Sequence, residues 1–170
     1  MTSVGHTLTG MSIAVLTGKR DATPWWRRPV FHTFALAANI PDLPVPGWGH
    51  DLYHVSHSIF VTLALLVVLE PPFWLSPKLR AQAGGPRAFA GFALAWSSHM
   101  LLDSLYSHGR GIAIFWPLSD AHLALPIRWF HTVRLHPWDH AHNLSVFLVE
   151  LAFYAPILTL CIYLRRRHSW

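Results

Sequence analysis

The sequence is poor in cysteine and in charged side chains. Cys161 is its single cysteine, so the chain has no intrachain disulfide and no cysteine-based zinc site. Charged residues make up only 12% of the 170 residues, against about 25% in typical soluble domains. Apolar residues reach 52%, and the mean hydropathy is +0.32. This composition excludes a disordered chain and predicts one membrane-embedded domain over residues 1–170.

Acidic residues are also scarce, whereas histidine is unusually common. Thirteen histidines exceed the eight Asp and Glu, and thirteen Lys and Arg give a formal net charge of +5. The basic residues occur in short clusters between apolar runs, an arrangement typical of the loops of membrane proteins. A nucleic-acid-binding protein would instead carry basic patches on a soluble fold, so we expect no nucleic-acid partner.

Five apolar stretches predict an all-α, polytopic helical membrane protein with about five apolar helices. The stretches cover residues 4–17, 30–40, 58–75, 88–105 and 145–164. The first two stretches are short, and the sequence leaves four interpretations of them open. They could be full spans, half-spans, re-entrant pieces or a buried helix pair in a soluble bundle. Pro71 and Pro72 interrupt the third stretch. Segment 106–143 is rich in Trp, Phe, Leu and Pro, and we interpret it as a folded loop or lid whose helical part is 123–135.

The basic clusters indicate how the predicted helices are oriented. Most Lys and Arg follow the first, third and fifth stretches, which places them on one side if each stretch crosses once. The positive-inside rule assigns that side to the cytoplasm. We therefore expect a multi-pass protein of the inner (plasma) membrane with a cytoplasmic C-terminus.

Histidines and aspartates gather at the opposite, non-cytoplasmic end of this predicted bundle. His54 and His57 are spaced i and i+3, and His99 and Asp103 are spaced i and i+4, so each pair shares one face of a helix. Imidazole nitrogen and carboxylate oxygen are the usual ligands of zinc and similar ions in hydrolases. The cluster predicts a site for one or two divalent ions, Zn²⁺ first and Mn²⁺ as an alternative. Its candidate metal ligands are His6, Asp42, His54, His57, His99 and Asp103.

The predicted activity is hydrolysis by metal-activated water, on a phosphoester or lipid-linked substrate. His54, Asp103 and His108 are the candidate catalytic residues, with His54 as a sixth ligand or as the acid that protonates the leaving group. A site at the membrane surface favours membrane lipid and a small-molecule or lipid substrate as partners, and the oligomeric state stays open. Ser56, Ser58 and Asn39 are expected to hydrogen-bond to the ligands and hold them in position.

Two other classes of function remain possible from the sequence. A metal or proton transporter would carry its ionisable residues through the middle of the bilayer, whereas here most of them gather at one end. A non-catalytic membrane protein would use the histidines structurally or to bind lipid headgroups. Glu150 lies inside the fifth stretch, where a buried carboxylate is either neutral or paired; a structural role is the preferred interpretation.

The ordered set of motifs resembles the YdjM-type, LexA-regulated, membrane-bound metal-dependent hydrolases. The motifs are His6, Pro41-Asp42, His54-x-x-His57-Ser58, His99-x-x-x-Asp103 and Phe115-Trp116-Pro117-Leu118, and the match spans residues 6 to 118 with the C-terminal span also as expected. The resemblance implies a metal-dependent hydrolase of the inner membrane whose substrate is undefined.

The chain departs from the pattern of that family at two positions. Pro44 stands where the family often has a second aspartate, so His108 or Asp51 would replace that ligand, or the site would hold one ion fewer. Val55 stands where the family has a basic residue. The order of the ligands also resembles, more loosely, the zinc-dependent phospholipase C and single-strand nuclease superfamily, which implies hydrolysis of phosphodiesters or lipid headgroups.

Overall fold

The computed structural model describes residues 3–18, 24–43, 53–83, 85–106, 111–123, 125, 129–134 and 138–167. Over these ranges the chain forms α-helices joined by turns and extended segments, and its β contacts are isolated bridges, Tyr106 with Phe130 and Ile112 with Leu123. The predicted all-α class is therefore confirmed. The helices are α1 (Ser3–Thr17), α2 (Pro29–Ala37), α3 (Tyr53–Ser56), α4 (Ile59–Leu75), α5 (Pro77–Ala83), α6 (Arg87–Asp103) and α7 (His140–Arg167).

The five apolar stretches correspond to α1, α2, α4, α6 and α7. The two prolines of the third stretch do not interrupt it, because Pro71 and Pro72 lie within α4. The break comes after Leu75, where α4 and α5 meet at 106°. Ser76 is extended before Pro77, as residues preceding proline prefer, and its hydroxyl accepts a hydrogen bond from the backbone N–H of Leu79 in α5.

The prediction of a helix over 123–135 is wrong for the residues of that stretch that the structure describes. These residues, 123, 125 and 129–134, are not helical. Their backbone N–H groups bond to another part of the chain: Leu123 donates to the carbonyl of Ile112 at 2.8 Å, and Trp129 donates to that of Leu105 at 3.1 Å. Pairing with the segment that follows α6 replaces the local bonds of a helix.

Among the described helices, α7 is the one long and apolar enough to cross a membrane unaided. It has 28 residues. Its apolar 18-residue stretch has a mean hydropathy of 2.0, and only 22% of that stretch is buried inside the protein. The bent pair of α4 and α5 passes the same test only as one broken span. With 15 and 17 residues, α1 and α6 are shorter than the ~20 residues of a typical span. The prediction of a polytopic membrane protein with about five apolar helices is therefore not confirmed.

The protein core lies where α1 passes between α2, α6 and α7. Its buried apolar side chains come from all four helices: Ala14, Val15, Val30, Phe31, Phe34, Ala37, Ala95 and Cys161. Gly10 of α1 lies directly against the backbone of α2, and a Cβ at this position would overlap the carbonyl of Phe34 and approach the Cα of Ala35 to 3.0 Å. A small residue at a helix contact lets two backbones approach closely, as in membrane helix pairs.

We expect Gly10→Leu to destabilise the protein by about 1–3 kcal/mol, because the added side chain has to push α2 away from α1. Thermal unfolding in detergent, followed by tryptophan fluorescence, measures the change. The matched control is Ala152→Leu at an exposed position of α7, which should leave the midpoint nearly unchanged. Equal midpoints for the two variants would contradict the close contact between α1 and α2.

Candidate metal centre

Residues from separate parts of the chain meet at one end of the bundle. His6 lies in the first turn of α1, and Asp42 ends the 3-10 helix Ile40–Asp42 that follows α2. His57 lies between α3 and α4, while His99 and Asp103 occupy the last turns of α6. The structure thus brings together five of the six ligands predicted from the sequence.

Four of these residues place one ligand atom each around a common point. The Nε2 atoms of His57 and His99 are 3.0 Å apart. Oδ2 of Asp103 lies 3.1 Å from the first nitrogen and 3.2 Å from the second. Oδ1 of Asp42 lies 3.5 Å and 3.6 Å from the same two nitrogens. All four ligand atoms lie within 4.8 Å of one another.

These separations match the edges of a tetrahedral metal site. Bonds of about 2.0–2.1 Å to nitrogen and oxygen place tetrahedral ligands roughly 3.3 Å apart. The five measured separations, from 3.0 to 3.6 Å, fall around that value. Two carboxylates and two imidazoles also give a donor set that suits zinc and related divalent ions. The residues therefore fit a divalent metal ion without rearrangement of the backbone.

Hydrogen bonds to Nδ1 orient both histidine rings of this tetrahedron. Nδ1 of His99 lies 2.8 Å from the carbonyl oxygen of Ala38 and has to donate to it, since a carbonyl only accepts. The Nε2 atom of the neutral ring is then an unprotonated lone pair that faces the carboxylates. Nδ1 of His57 lies 2.9 Å from the hydroxyl of Ser56. Such bonds to the second nitrogen are the usual support of metal-ligating histidines.

The electrostatics of the cluster favour a positive charge at its centre. Burial disfavours a charged His57, yet the carboxylates of Asp103 and Asp42 outweigh this effect and raise the pKa of the imidazole. The side chain of Asp103 is fully buried, whereas that of Asp42 is 29% exposed. Two buried or half-buried carboxylates need a proton or a cation between them. Solvent reaches the cluster beside Asp42.

His6 lies beside His99 and is fully buried. Its ring stacks on that of His99 with centroids 3.8 Å apart and planes 15° apart. Its Nε2 is 3.2 Å from Oδ1 of Asp103 and 3.9 Å from Oδ2 of Asp42. His6 thus faces the carboxylate oxygens that the tetrahedron does not use.

The predicted supporting residues have distinct roles. Asn39 donates to Thr7 Oγ1 at 3.0 Å and to the carbonyl of Ala35 at 2.7 Å, which ties α2 to the turn of α1 that carries His6. The Ser58 hydroxyl caps α4 and also donates to the carbonyl of Trp116. Segment 111–123 is therefore attached to the start of α4, beside His57.

The remaining candidate residues are not part of the tetrahedron. His54 is half-buried, and its ring contacts that of Trp116 edge to face, with centroids 5.0 Å apart. His108 and Asp51 lie outside the described residues, so their predicted roles stay predictions. His142, in the first turn of α7, was not among the candidates; its Nε2 lies 2.9 Å from the carbonyl oxygen of Thr132, and its backbone N–H donates to Asp139. That backbone bond lowers the pKa of Asp139.

Glu150 of α7 is fully buried and holds the start of α1. Its Oε2 accepts a hydrogen bond of 3.0 Å from the backbone N–H of Gly5, one of the N–H groups that have no partner within the helix. A Cβ on Gly5 would lie 2.7 Å from the ring of Tyr154 and 3.2 Å from the hydroxyl of Tyr106. This packing confirms the structural interpretation of Glu150. It also fixes the residue that precedes His6, a contact between residues far apart in sequence.

The sequence model of the YdjM inner membrane protein family matches residues 1–168, so the chain belongs to that family of inner membrane proteins. No curated protein matches the chain, and no solved structure matches it.

We expect Ser56→Ala to weaken metal binding about 10-fold or more, because the ring of His57 loses its orienting partner. Isothermal titration of the metal-free protein with Zn²⁺ measures this loss. Ser119→Ala, at an exposed position, is the control and should bind as the wild type does. Unchanged affinity in Ser56→Ala would show that the hydroxyl does not support the ligand.

We expect Glu150→Leu to lower stability by about 1–3 kcal/mol, since the buried N–H of Gly5 loses its acceptor. Glu150→Gln keeps an acceptor oxygen and should retain most of the stability. Thermal midpoints of both variants in detergent test the difference, with Glu70→Leu on the exposed face of α4 as the control. A Gln variant as unstable as the Leu variant would argue against the hydrogen bond.

Proposed function

We propose that this member of the YdjM inner membrane protein family is a metal-dependent hydrolase of lipid-linked phosphoesters. The observation that supports the proposal is the buried tetrahedron of Asp42, His57, His99 and Asp103. A bound divalent ion would lower the pKa of coordinated water toward about 7 and polarise the phosphoryl group. These four residues would hold the ion, with Ser56 and the carbonyl of Ala38 orienting the two imidazoles.

The proposed reaction adds water across a phosphoester bond. The oxygen of water forms a new bond to phosphorus, the bond from phosphorus to the leaving oxygen breaks, and the leaving oxygen takes up a proton. Asp42 is the most exposed of the four ligands, so substrate would approach from its side. His54 is the proposed proton donor, because it lies one helical turn before His57 in sequence and outside the tetrahedron.

Exposed apolar side chains at the same end of the molecule favour a lipid substrate. They lie on the segments attached to α4, α6 and α7: Phe115 is 48% exposed, Leu118 77%, Trp129 61% and Trp138 56%. Tryptophan and other amphipathic or apolar side chains at this level are typical of the boundary between membrane and water. A substrate whose headgroup reaches the metal centre can keep its acyl chains in the bilayer.

The proposed topology places the site on the non-cytoplasmic side. Arg165, Arg166 and Arg167 end α7 at the far end of the bundle, and the Arg165 guanidinium donates to the carbonyl of Gly18 just after α1. The positive-inside rule would assign that end to the cytoplasm. In this proposal α7 is a full span, and α1, α2, α4 and α6 cross with it as shorter or broken helices.

The distribution of ionisable side chains favours hydrolysis over transport. In the described part of the chain, the clustered His and Asp side chains lie at one end of the helices rather than along a path through them. Glu150 lies deeper, but its carboxylate caps α1.

The test of the proposal is release of phosphorylated or dephosphorylated headgroups from vesicles by the purified, Zn²⁺- or Mn²⁺-loaded protein. The vesicles should contain phospholipids and lipid-linked phosphates of several headgroup types. We expect turnover of at least one lipid class and a loss of at least ~100-fold in Asp103→Asn, because this carboxylate is a ligand and not only a supporting group. Asp120→Asn, at an exposed position, is the matched control.

A protein that binds metal yet hydrolyses none of these lipids would overturn the proposed reaction. The histidine cluster would then be a structural or headgroup-binding site. Equal activity in Asp103→Asn and the wild type would show that any hydrolysis arises elsewhere.

A further inference from the structure

We infer that the centre holds two metal ions, with Asp42 and Asp103 as bridging carboxylates and His6 as the imidazole ligand of the second ion. The inference deepens the proposed function and rests on it for the presence of metal. It concerns a different position from the tetrahedron, beside it in the plane of the His6 ring, which stacks on that of His99.

The two oxygens of each carboxylate point to different imidazoles. In Asp103, Oδ2 lies 3.1 and 3.2 Å from the Nε2 atoms of His57 and His99, whereas Oδ1 lies 3.2 Å from that of His6. In Asp42, Oδ1 lies 3.5 and 3.6 Å from the same pair, and Oδ2 lies 3.9 Å from His6. This division of oxygens is the arrangement of a carboxylate that bridges two ions.

The spacing of the rings fits a pair of ions. An imidazole binds a metal in the plane of its ring, and the near-parallel rings of His6 and His99 are 3.8 Å apart. Ions held in the two ring planes would therefore lie about 3.5–4 Å apart, the separation found in two-metal hydrolytic sites. Stacking of two imidazoles alone would not require both Nε2 atoms to face the same carboxylates.

The two positions differ in their number of protein ligands. The tetrahedron already supplies four protein ligands, so a water molecule on that ion would be a fifth ligand. The position beside His6 has three protein ligands: Nε2 of His6, Oδ1 of Asp103 and Oδ2 of Asp42. Three ligands and an open position are typical of a catalytic site. We therefore assign substrate and water to the second position, beside the partly exposed Asp42.

The burial of His6 supports a ligand role. The side chain is fully buried, and within the described residues its Nδ1 has no hydrogen-bond partner. Its polar interactions there are consequently on the Nε2 side, where the two carboxylates lie. His6 has one alternative role. In that role the site holds one ion, and the Nε2 of His6 hydrogen-bonds to Asp103 and only orients its carboxylate.

Metal stoichiometry separates these roles without any assay of activity. Metal-free wild type, His6→Ala and His57→Ala are titrated with Mn²⁺ in detergent, and bound metal is measured by elemental analysis after gel filtration. We expect two equivalents in the wild type and one in His6→Ala. His122→Ala, at an exposed position, is the matched control and should keep two. Electron paramagnetic resonance should show a coupled Mn²⁺ pair in the wild type and an isolated ion in His6→Ala.

One equivalent of bound Mn²⁺ in the wild type would overturn the inference of two ions, whether or not His6→Ala retains that ion. The wild-type value alone is decisive, so the test stands even if the variant fails to fold. Hydrolysis by such a one-metal protein would leave the proposed function intact. Two equivalents without hydrolysis of any lipid would support the second ion and overturn the proposed reaction.

Discussion

The fully buried carboxylate of Asp103 is the group on which the arrangement of this structure depends. Its oxygens lie within 3.2 Å of the Nε2 atoms of His6, His57 and His99. An ionised carboxylate in such surroundings is costly unless it is paired and hydrogen-bonded. Three imidazoles from separate parts of the chain surround it, and a proton or a cation between these groups provides that pairing. The ends of α1, α4 and α6 are consequently held together by polar contacts in addition to the apolar packing of Leu8, Leu102 and Tyr106.

The contacts of α1 with its neighbouring helices connect the cluster around Asp103 to the rest of the bundle. Gly10 allows its backbone to lie against α2, and Glu150 of α7 accepts a hydrogen bond from its first turn. These contacts with α2 and α7 fix the axial position and rotation of α1 independently of the contacts that His6 makes in the cluster. A shift of one residue along α1 would turn the imidazole by about 100° and remove it from the carboxylates. Glycine and glutamate at a distance from the site therefore control its geometry.

Much of the site was predictable because it depends on helix ends. His99 and Asp103 share a face by their i, i+4 spacing, and the alternation of basic clusters indicated which ends of the helices coincide. Asp42 was predictable because it follows the outer end of the second apolar stretch. These signals are local, or they depend only on the order of the stretches. They placed five candidate ligands together without any knowledge of packing.

The parts that the sequence did not reveal depend on contacts between distant backbone groups. The acceptor of His99 is the carbonyl of Ala38, which any residue at that position would supply. The region around Phe130 has an apolar pattern suited to a helix, yet its N–H groups bond to Leu105, because a partner segment was available after α6. The choice between His54 and His57 as the ligand could not be made from spacing either. Both precede α4, and only the turn after α3 directs His57 to the carboxylates.

The two ends of the bundle carry different polar groups, so the molecule is asymmetric along the helix axes. The His and Asp cluster and the segment attached to Ser58 lie at one end together with the exposed Trp129 and Trp138, whereas at the other end Arg165 donates to the carbonyl of Gly18 just after α1. Between them, α4 and α7 present mainly exposed apolar side chains. Such a surface is stable in contact with acyl chains, and a headgroup would then lie at the level of Asp42. In the proposed function, the exposure of Asp42 is the structural feature that would link the candidate metal centre to a membrane-borne substrate.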